Sequence, residues 1–164
     1  LTAQRLTIRS ATTRPEDGIA LPTWLVATEF GEPPDAASLR SFVRGALIDP
    51  TGSRAAAAKR VTAARRDNFS PPTVTVADGA SEASTVLEIR AHDLPGMLLL
   101  AATEIAAAGV TVVRALVHTW GAEAVEVLYL QGADGTQLSV VDARRLAARV
   151  TAAVGRTRPT AAPG

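Results

Sequence analysis

The chain contains no cysteine and only two histidines, His92 and His118, among its 164 residues. That excludes disulfide stapling and leaves too few soft ligands for a structural zinc centre, so neither a metal nor a cofactor is expected. Lysine is nearly absent as well: Lys59 stands alone and the other basic residues are arginines. The net charge is only +1, which excludes the basic field that binding a phosphate backbone requires. Nucleic acid is therefore not an expected partner. Long apolar runs are missing too: none reaches the roughly 18 residues that span a bilayer. The first residues also lack the basic, apolar, small-residue order of a signal peptide. No membrane association and a cytoplasmic location are the expectations. The only methionine is Met97 and the chain opens on Leu1, so a processed product or the tail of something longer is expected.

What is present is apolar material at 47% of residues, enough for one or two modest cores. From Thr85 to Ala91, Leu87, Ile89 and Ala91 alternate with Val86, Glu88 and Arg90, the period of a half-buried strand. After Gly96 the period changes to that of a helix, with Leu98, Ala101, Ala102, Ile105 and Ala108 on one stripe and Gly109 as its C-cap. Two more strands follow, one carrying Val113, Ala115 and Val117, the other Val125, Val127 and Tyr129. Ser139 with Asp142 resembles a capping box, and it opens a helix whose stripe is Ala143, Leu146, Ala147, Val150, Ala153 and Val154. The order βαββα predicts an α+β, ferredoxin-like βαββαβ unit, an antiparallel sheet with helices on one face.

Residues "LTIRSATT" and "GIALPTWLVATEFG" mirror "VTVVRALVHT" and "AEAVEVLYLQG", so a second copy precedes the first. Its helix is capped by Asp35 and carries Leu39, Phe42, Val43, Ala46 and Leu47. This copy is incomplete, without an initial strand and helix. The expected organisation is a partial unit over 1–52, a linker with a basic helix over 53–72, a second unit over 73–155 and a disordered tail over 156–164. Arg54, Lys59, Arg60, Arg65 and Arg66 are read as a solvated face of the linker helix. The tail offers no last strand, so Thr73 to Ala77 is expected to fill that place as a hairpin with Thr85 to Ala91. Pro22 marks the first copy's third strand as an edge.

Residues 85–130, "TVLEIRAHDLPGMLLLAATEIAAAGVTVVRALVHTWGAEAVEVLYL", resemble an ACT domain, the small amino-acid-sensing βαββαβ module. The stretch from "DLPG" through "AAAGV" to "HTWGAEAVEVLYL" looks most like the C-terminal ACT pair of bacterial protein-PII uridylyltransferase and uridylyl-removing enzymes of nitrogen metabolism. The resemblance is stronger over 72–154 than over 5–48. It implies glutamine as the ligand, allosteric regulation as the role, and the PII signal protein as a partner only through the parent enzyme. The parent's nucleotidyltransferase and phosphohydrolase regions have no counterpart here, so no catalytic residue carries over.

The physical reading of "DLPG" stands beside that likeness. Proline at a helix start keeps φ helical without losing a needed hydrogen bond, and glycine clears side-chain bulk from the first-turn N–H groups. With the helix dipole behind it such a turn receives a carboxylate, while Asp93 accepts from an amino group or an amide. By itself the turn reads as a helix cap, and it is the resemblance that makes it a ligand contact. The candidate ligand-binding residues are His92, Asp93, Leu94, Pro95, Gly96, Met97 and Leu98. ACT pairs join through their second strands, which makes Ile8, Ser10, Leu116, His118 and Trp120 the candidate interface. Glu123 and Glu126 point to opposite faces of one strand and are expected to be solvated. No nucleophile with a base, carboxylate cluster or phosphate loop marks an enzyme. Two readings follow: a regulatory amino-acid-binding module, or a degenerate ACT pair serving only dimerisation, and in either case self-pairing is expected from the open strand edges.

Overall fold

Alternating β-branched and apolar residues draw out six strands: β1 (Leu6–Glu16), β2 (Ile19–Thr28), β3 (Thr73–Val76), β4 (Thr85–His92), β5 (Thr111–Trp120) and β6 (Glu123–Gln131). The helices between them are α1 (Ala36–Ile48), α2 (Met97–Ala107) and α3 (Val140–Gly155). This computed structural model describes residues 6–16, 19–28, 31–53, 55, 70–93, 96–120 and 122–155. The basic segment Arg54, Lys59, Arg60, Arg65 and Arg66 and the tail 156–164 lie outside them.

All six strands join one antiparallel sheet in the order β2-β1-β5-β6-β4-β3. The expected hairpin forms, with Thr73 opposite Arg90 and Val76 opposite Leu87. β3 thus takes the place beside β4 that a last strand would hold in a βαββαβ unit. β2 is an outer strand, and Pro22 sits in it opposite Thr13, where a missing backbone donor is tolerated.

Local chemistry sets the helix ends. Asp35 accepts from the N–H groups of Ala37 and Ser38 at 2.8 and 2.9 Å to start α1. Ser139 Oγ accepts from the Asp142 N–H at 3.1 Å and donates to its carboxylate at 2.7 Å to start α3. α2 ends in a Schellman turn: Val110 N–H donates to Ile105 O, Gly109 N–H donates to Ala106 O, and Gly109 takes φ 71°. Only a residue without Cβ adopts that φ without strain.

The core lies between one sheet face and α2 with α3. Leu87 and Ile89 of β4, Ala124, Leu128 and Leu130 of β6, and Ala115 of β5 meet Met97, Ala101 and Ile105 of α2 and Leu146, Ala147, Val150 and Val154 of α3. The stripe expected for α3 is its buried set. In α2 the buried residue of the first turn is Met97, Leu98 and Ala102 are half-buried, and Ala108 is exposed. Glu104 and Arg149 tie the two helices together, with Arg149 Nε and Nη2 donating to one carboxylate oxygen at 3.1 and 2.9 Å.

The stripe expected for α1 finds no such cover. Leu39, Phe42 and Ala46 are half-buried, whereas Val43 is 43% exposed and Leu47 78%. An amphipathic stripe buries itself only against a facing layer, and among the described residues no helix packs beside α1 as α2 packs beside α3.

This contrast gives a stability test. Leu128→Ala, at a site with no exposure, should destabilise the fold by about 2–5 kcal/mol, whereas Leu47→Ala should stay within about 0.5 kcal/mol. Urea unfolding followed by circular dichroism compares the two.

Candidate functional site

The end of the sheet where β4 stops and α2 starts gathers the chemistry. β4 and β6 pair to their last residues there, with His92 opposite Glu123, and the Asp93 N–H continues the ladder to Ala122 O at 2.9 Å. Gly96, the N-cap of α2, takes φ 88° and ψ 6°. Gly96 has no side chain to cap the helix, no acidic residue lies in the first turn, and the first helical bond runs from Leu100 N–H to Gly96 O at 3.0 Å. The positive end of the helix dipole therefore has no carboxylate of its own helix beside it.

On the helix-covered face of β6 lies Glu126. It alternates in phase with Ala124, Leu128 and Leu130, so its side chain enters the helix-covered face, and it is 4% exposed. Its Cα partners are Ile89 on β4 and Val117 on β5. Oε2 is buried with no hydrogen-bond partner among the described residues. Removal from water pushes the carboxyl up to about 8, and the nearby Asp93 charge adds to that effect. The expectation that Glu126 is solvated is thus corrected: Glu123 is exposed as expected, but the strand's alternation turns Glu126 into the core.

Between Glu126 and the turn the sheet carries small residues. Ala124 is flanked by Ala91 and Thr119. The next strand outward is β1, which pairs with β5 through Ser10–Leu116, Ala11–Ala115 and Thr12–Arg114. The register of β1 with β2 shifts between Ile8 and Ser10, leaving Arg9 as the extra residue of a β-bulge. Bulges re-aim side chains. Here Arg9 reaches over to β5, where its Nη1 donates to Thr119 Oγ1 at 3.2 Å. One sheet face thus presents a buried carboxyl on β6, apolar Val117 on β5 and an exposed guanidinium on β1, all toward the end from which α2 departs.

Of the residues predicted from sequence, Asp93 is exposed in the turn, Gly96 caps the helix, Met97 is in the core and Leu98 packs partly against it. Leu94 and Pro95 lie outside the described residues. His92 lines an open cleft of 420 Å³ together with Arg90, Trp120 and Glu123, around the end of β4 rather than beneath the turn. Among the interface candidates, Ser10 and Leu116 are a paired position of the β1–β5 seam, Ile8 flanks the bulge, His118 is exposed and Trp120 is 75% exposed. Sequence reasoning missed Glu126 and Arg9. For Glu126 the signal was available in its phase with Leu128 and Leu130, whereas a bulge leaves no such mark. Among the described residues no cluster of metal-ligating side chains occurs, and no helix is long and apolar enough to cross a membrane.

Comparison with known proteins shows similarity to one kind of enzyme. The chain is 40% identical over 148 residues to the bifunctional uridylyltransferase/uridylyl-removing enzyme of Streptomyces coelicolor, covering 84% of the chain and 18% of that protein. It is 32% identical over 143 residues to the enzyme of the same description in Mycobacterium tuberculosis, with 77% and 18% covered. The one in Gluconobacter oxydans is 31% identical over 139 residues, with 80% and 14% covered. The chain thus spans less than a fifth of the length of these relatives. No family model and no solved structure matches it.

Glu126 makes the fold sensitive to pH in a definite direction. Unfolded, its carboxyl ionises near the ordinary 4.5; folded, it holds its proton to about 8. The native state binds the extra proton between those values, so its stabilising effect is complete below the lower one and is lost as pH rises through the upper. The loss is on the order of 5 kcal/mol. Glu126→Leu should remove this decline, so that thermal unfolding followed from acidic to mildly alkaline pH gives a much flatter profile than the unmutated chain.

Proposed function

We propose that this chain is the regulatory, amino-acid-sensing ACT region of a bifunctional uridylyltransferase/uridylyl-removing enzyme, with glutamine as the ligand. On this reading residues 1–52 belong to a partial first ACT unit, 53–72 to a linker, 73–155 to the second unit and 156–164 to a tail. The observation that carries the reading is the β1–β5 seam: two strands from different copies of the internal repeat pair edge to edge. That seam sets β1 alongside the sheet end that bears the Asp93–Gly96 turn. The sequence similarity to the uridylyltransferases supports it independently.

The chemistry fits a zwitterion. An α-carboxylate gains from the N-terminal end of α2, where backbone donors and the dipole favour negative charge, and an amino group gains from Asp93. No catalytic step is assigned to this chain. Uridylylation of a PII protein and its reversal belong to the rest of the parent enzyme in the cytoplasm. Ligand held across the seam acts on them by stabilising one arrangement of the two units, with couplings of this kind commonly set at about 1–3 kcal/mol.

A second reading, an architectural pair that only self-associates, draws on the apolar surface of the first copy. Trp24 is 49% exposed, Leu25 63% and Ile48 79%, and β2 and β3 are the edge strands of the sheet among the described residues.

Isothermal titration calorimetry separates the two. The sensing reading expects saturable heat with glutamine and a loss of about tenfold or more in affinity for Asp93→Asn, since a charge-assisted bond is removed. If no amino acid gives a response at millimolar concentration while sedimentation shows the same dimer with and without them, the architectural reading replaces it.

A further inference from the structure

Glu126 is not explained by folding alone. A buried carboxyl oxygen without a partner costs stability, and an apolar residue would pack there at no such cost. Groups of this kind persist where function requires them. From Glu126 toward the end of the sheet where β4 runs into Asp93, the next cross-strand pair on the same face is Ala91 with Ala124, and the Asp93 charge acts on Glu126. On the same face, one strand beyond Val117, the exposed Arg9 at the bulge donates to Thr119.

We propose that Glu126 and Arg9 form the recognition pair of this site, Glu126 receiving the ammonium group of a free amino acid and Arg9, from the neighbouring copy, its carboxylate. This rests on the amino-acid-binding reading and adds the residues that select a zwitterion. Two strand spacings separate β6 from β1, roughly 10 Å, a span that a long guanidinium arm and a shorter carboxyl arm close around one small molecule. Thr119, which now accepts from Arg9, holds that arm in place before the ligand arrives.

The arrangement couples binding to a proton. Ile89 on β4 and Val117 on β5 are the cross-strand partners of Glu126, and Asp93, past the end of β4, is the charge that acts on it; α2 lines the covered face with Met97 and Ala101, and Arg9 on β1 lies one strand beyond Val117. Glu104, the one charged residue of α2, is held by Arg149 of α3. On β5, Arg114 and His118 are exposed, and Arg114 stacks on Tyr129. Near neutral pH the ligand-free carboxyl therefore carries its proton, favoured by burial and by Asp93. An incoming ammonium supplies the missing counter-charge, so Glu126 ionises, its proton leaves to buffer, and the new N–H···O bond forms on the freed oxygen.

Calorimetry of the full chain with glutamine, repeated in buffers of different ionisation enthalpy, tests this. The expected result is net release approaching one proton per ligand near neutral pH. Glu126→Gln should abolish that release and weaken affinity by about tenfold or more. Arg9→Gln should weaken affinity while leaving the release in place. Carboxyl carbon NMR of the unmutated chain should show the Glu126 resonance moving to its ionised position on addition of glutamine. Buffer-independent heat in the unmutated chain, together with unchanged affinity in Glu126→Gln, would overturn the pair and leave the binding reading standing, with Glu126 then satisfied by an internal water. Absence of binding by the unmutated chain to any amino acid, with the Glu126 resonance unmoved, would overturn both.

Discussion

Backbone pairing between β1 and β5 is the constraint on which the arrangement depends. Among the described residues three residue pairs define that seam, yet without it the sheet would end at β5, and β1 with β2 would be an isolated hairpin, a structure marginal in water on its own. The seam also joins two parts of unequal solidity. On one side α2 and α3 seal a core whose leucines and isoleucines are fully excluded from solvent; on the other α1 has no buried residue. A short ladder between a well-packed element and a loosely packed one is a natural place for a small molecule to shift an equilibrium, because little packing has to be rearranged for the weaker side to respond.

Legibility in the sequence follows the range of the interactions involved. The stripe of α3, its Ser139 cap, the Asp35 cap and the glycine turn after α2 are each decided by residues within a few positions of one another, and the periodicity carries them. The placement of Thr73 to Val76 beside β4 was readable for a different reason: the repeat left a vacancy and only one nearby strand to fill it. What the sequence could not yield depends on distant partners. The stripe of α1 has the right spacing, but burial needs a facing surface, and amphipathicity alone does not create one. The bulge at Arg9 is set by how β1 must register simultaneously with β2, a property of the paired strands.

Glu126 is a case of a different kind, since local reasoning had the means to find it. Its strand alternates Ala124, Leu128 and Leu130 on the core face, and a glutamate in that phase is a contradiction between pattern and chemistry. Such contradictions concentrate at sites where function outweighs stability. Reading the strand instead from Val125, Val127 and Tyr129 assigned the apolar phase to the wrong face, because both phases of β6 are largely apolar. On a strand buried toward helices on one side and half-covered on the other, hydrophobicity does not distinguish the faces; the buried side was marked by the complete core stripe of α2 and α3 above it.

The position of that carboxyl also bears on which molecules such a site can accept. A neutral acid in an apolar floor is a weak partner for a neutral ligand, since it exchanges one modest hydrogen bond for the water bonds the ligand gives up. For a cationic group the comparison changes, because the low dielectric that keeps the proton on Glu126 also strengthens its ionised form once a counter-charge arrives. Arg9 imposes the complementary demand at the opposite end, and the Asp93 charge disfavours any ligand that brings only a carboxylate. Amines without a carboxylate leave the guanidinium unanswered, and carboxylates without an amine leave the floor protonated and unpaired. Within the proposed site, discrimination in favour of the zwitterion thus arises from the penalties imposed on each half-matching ligand as much as from the bonds that the full one makes.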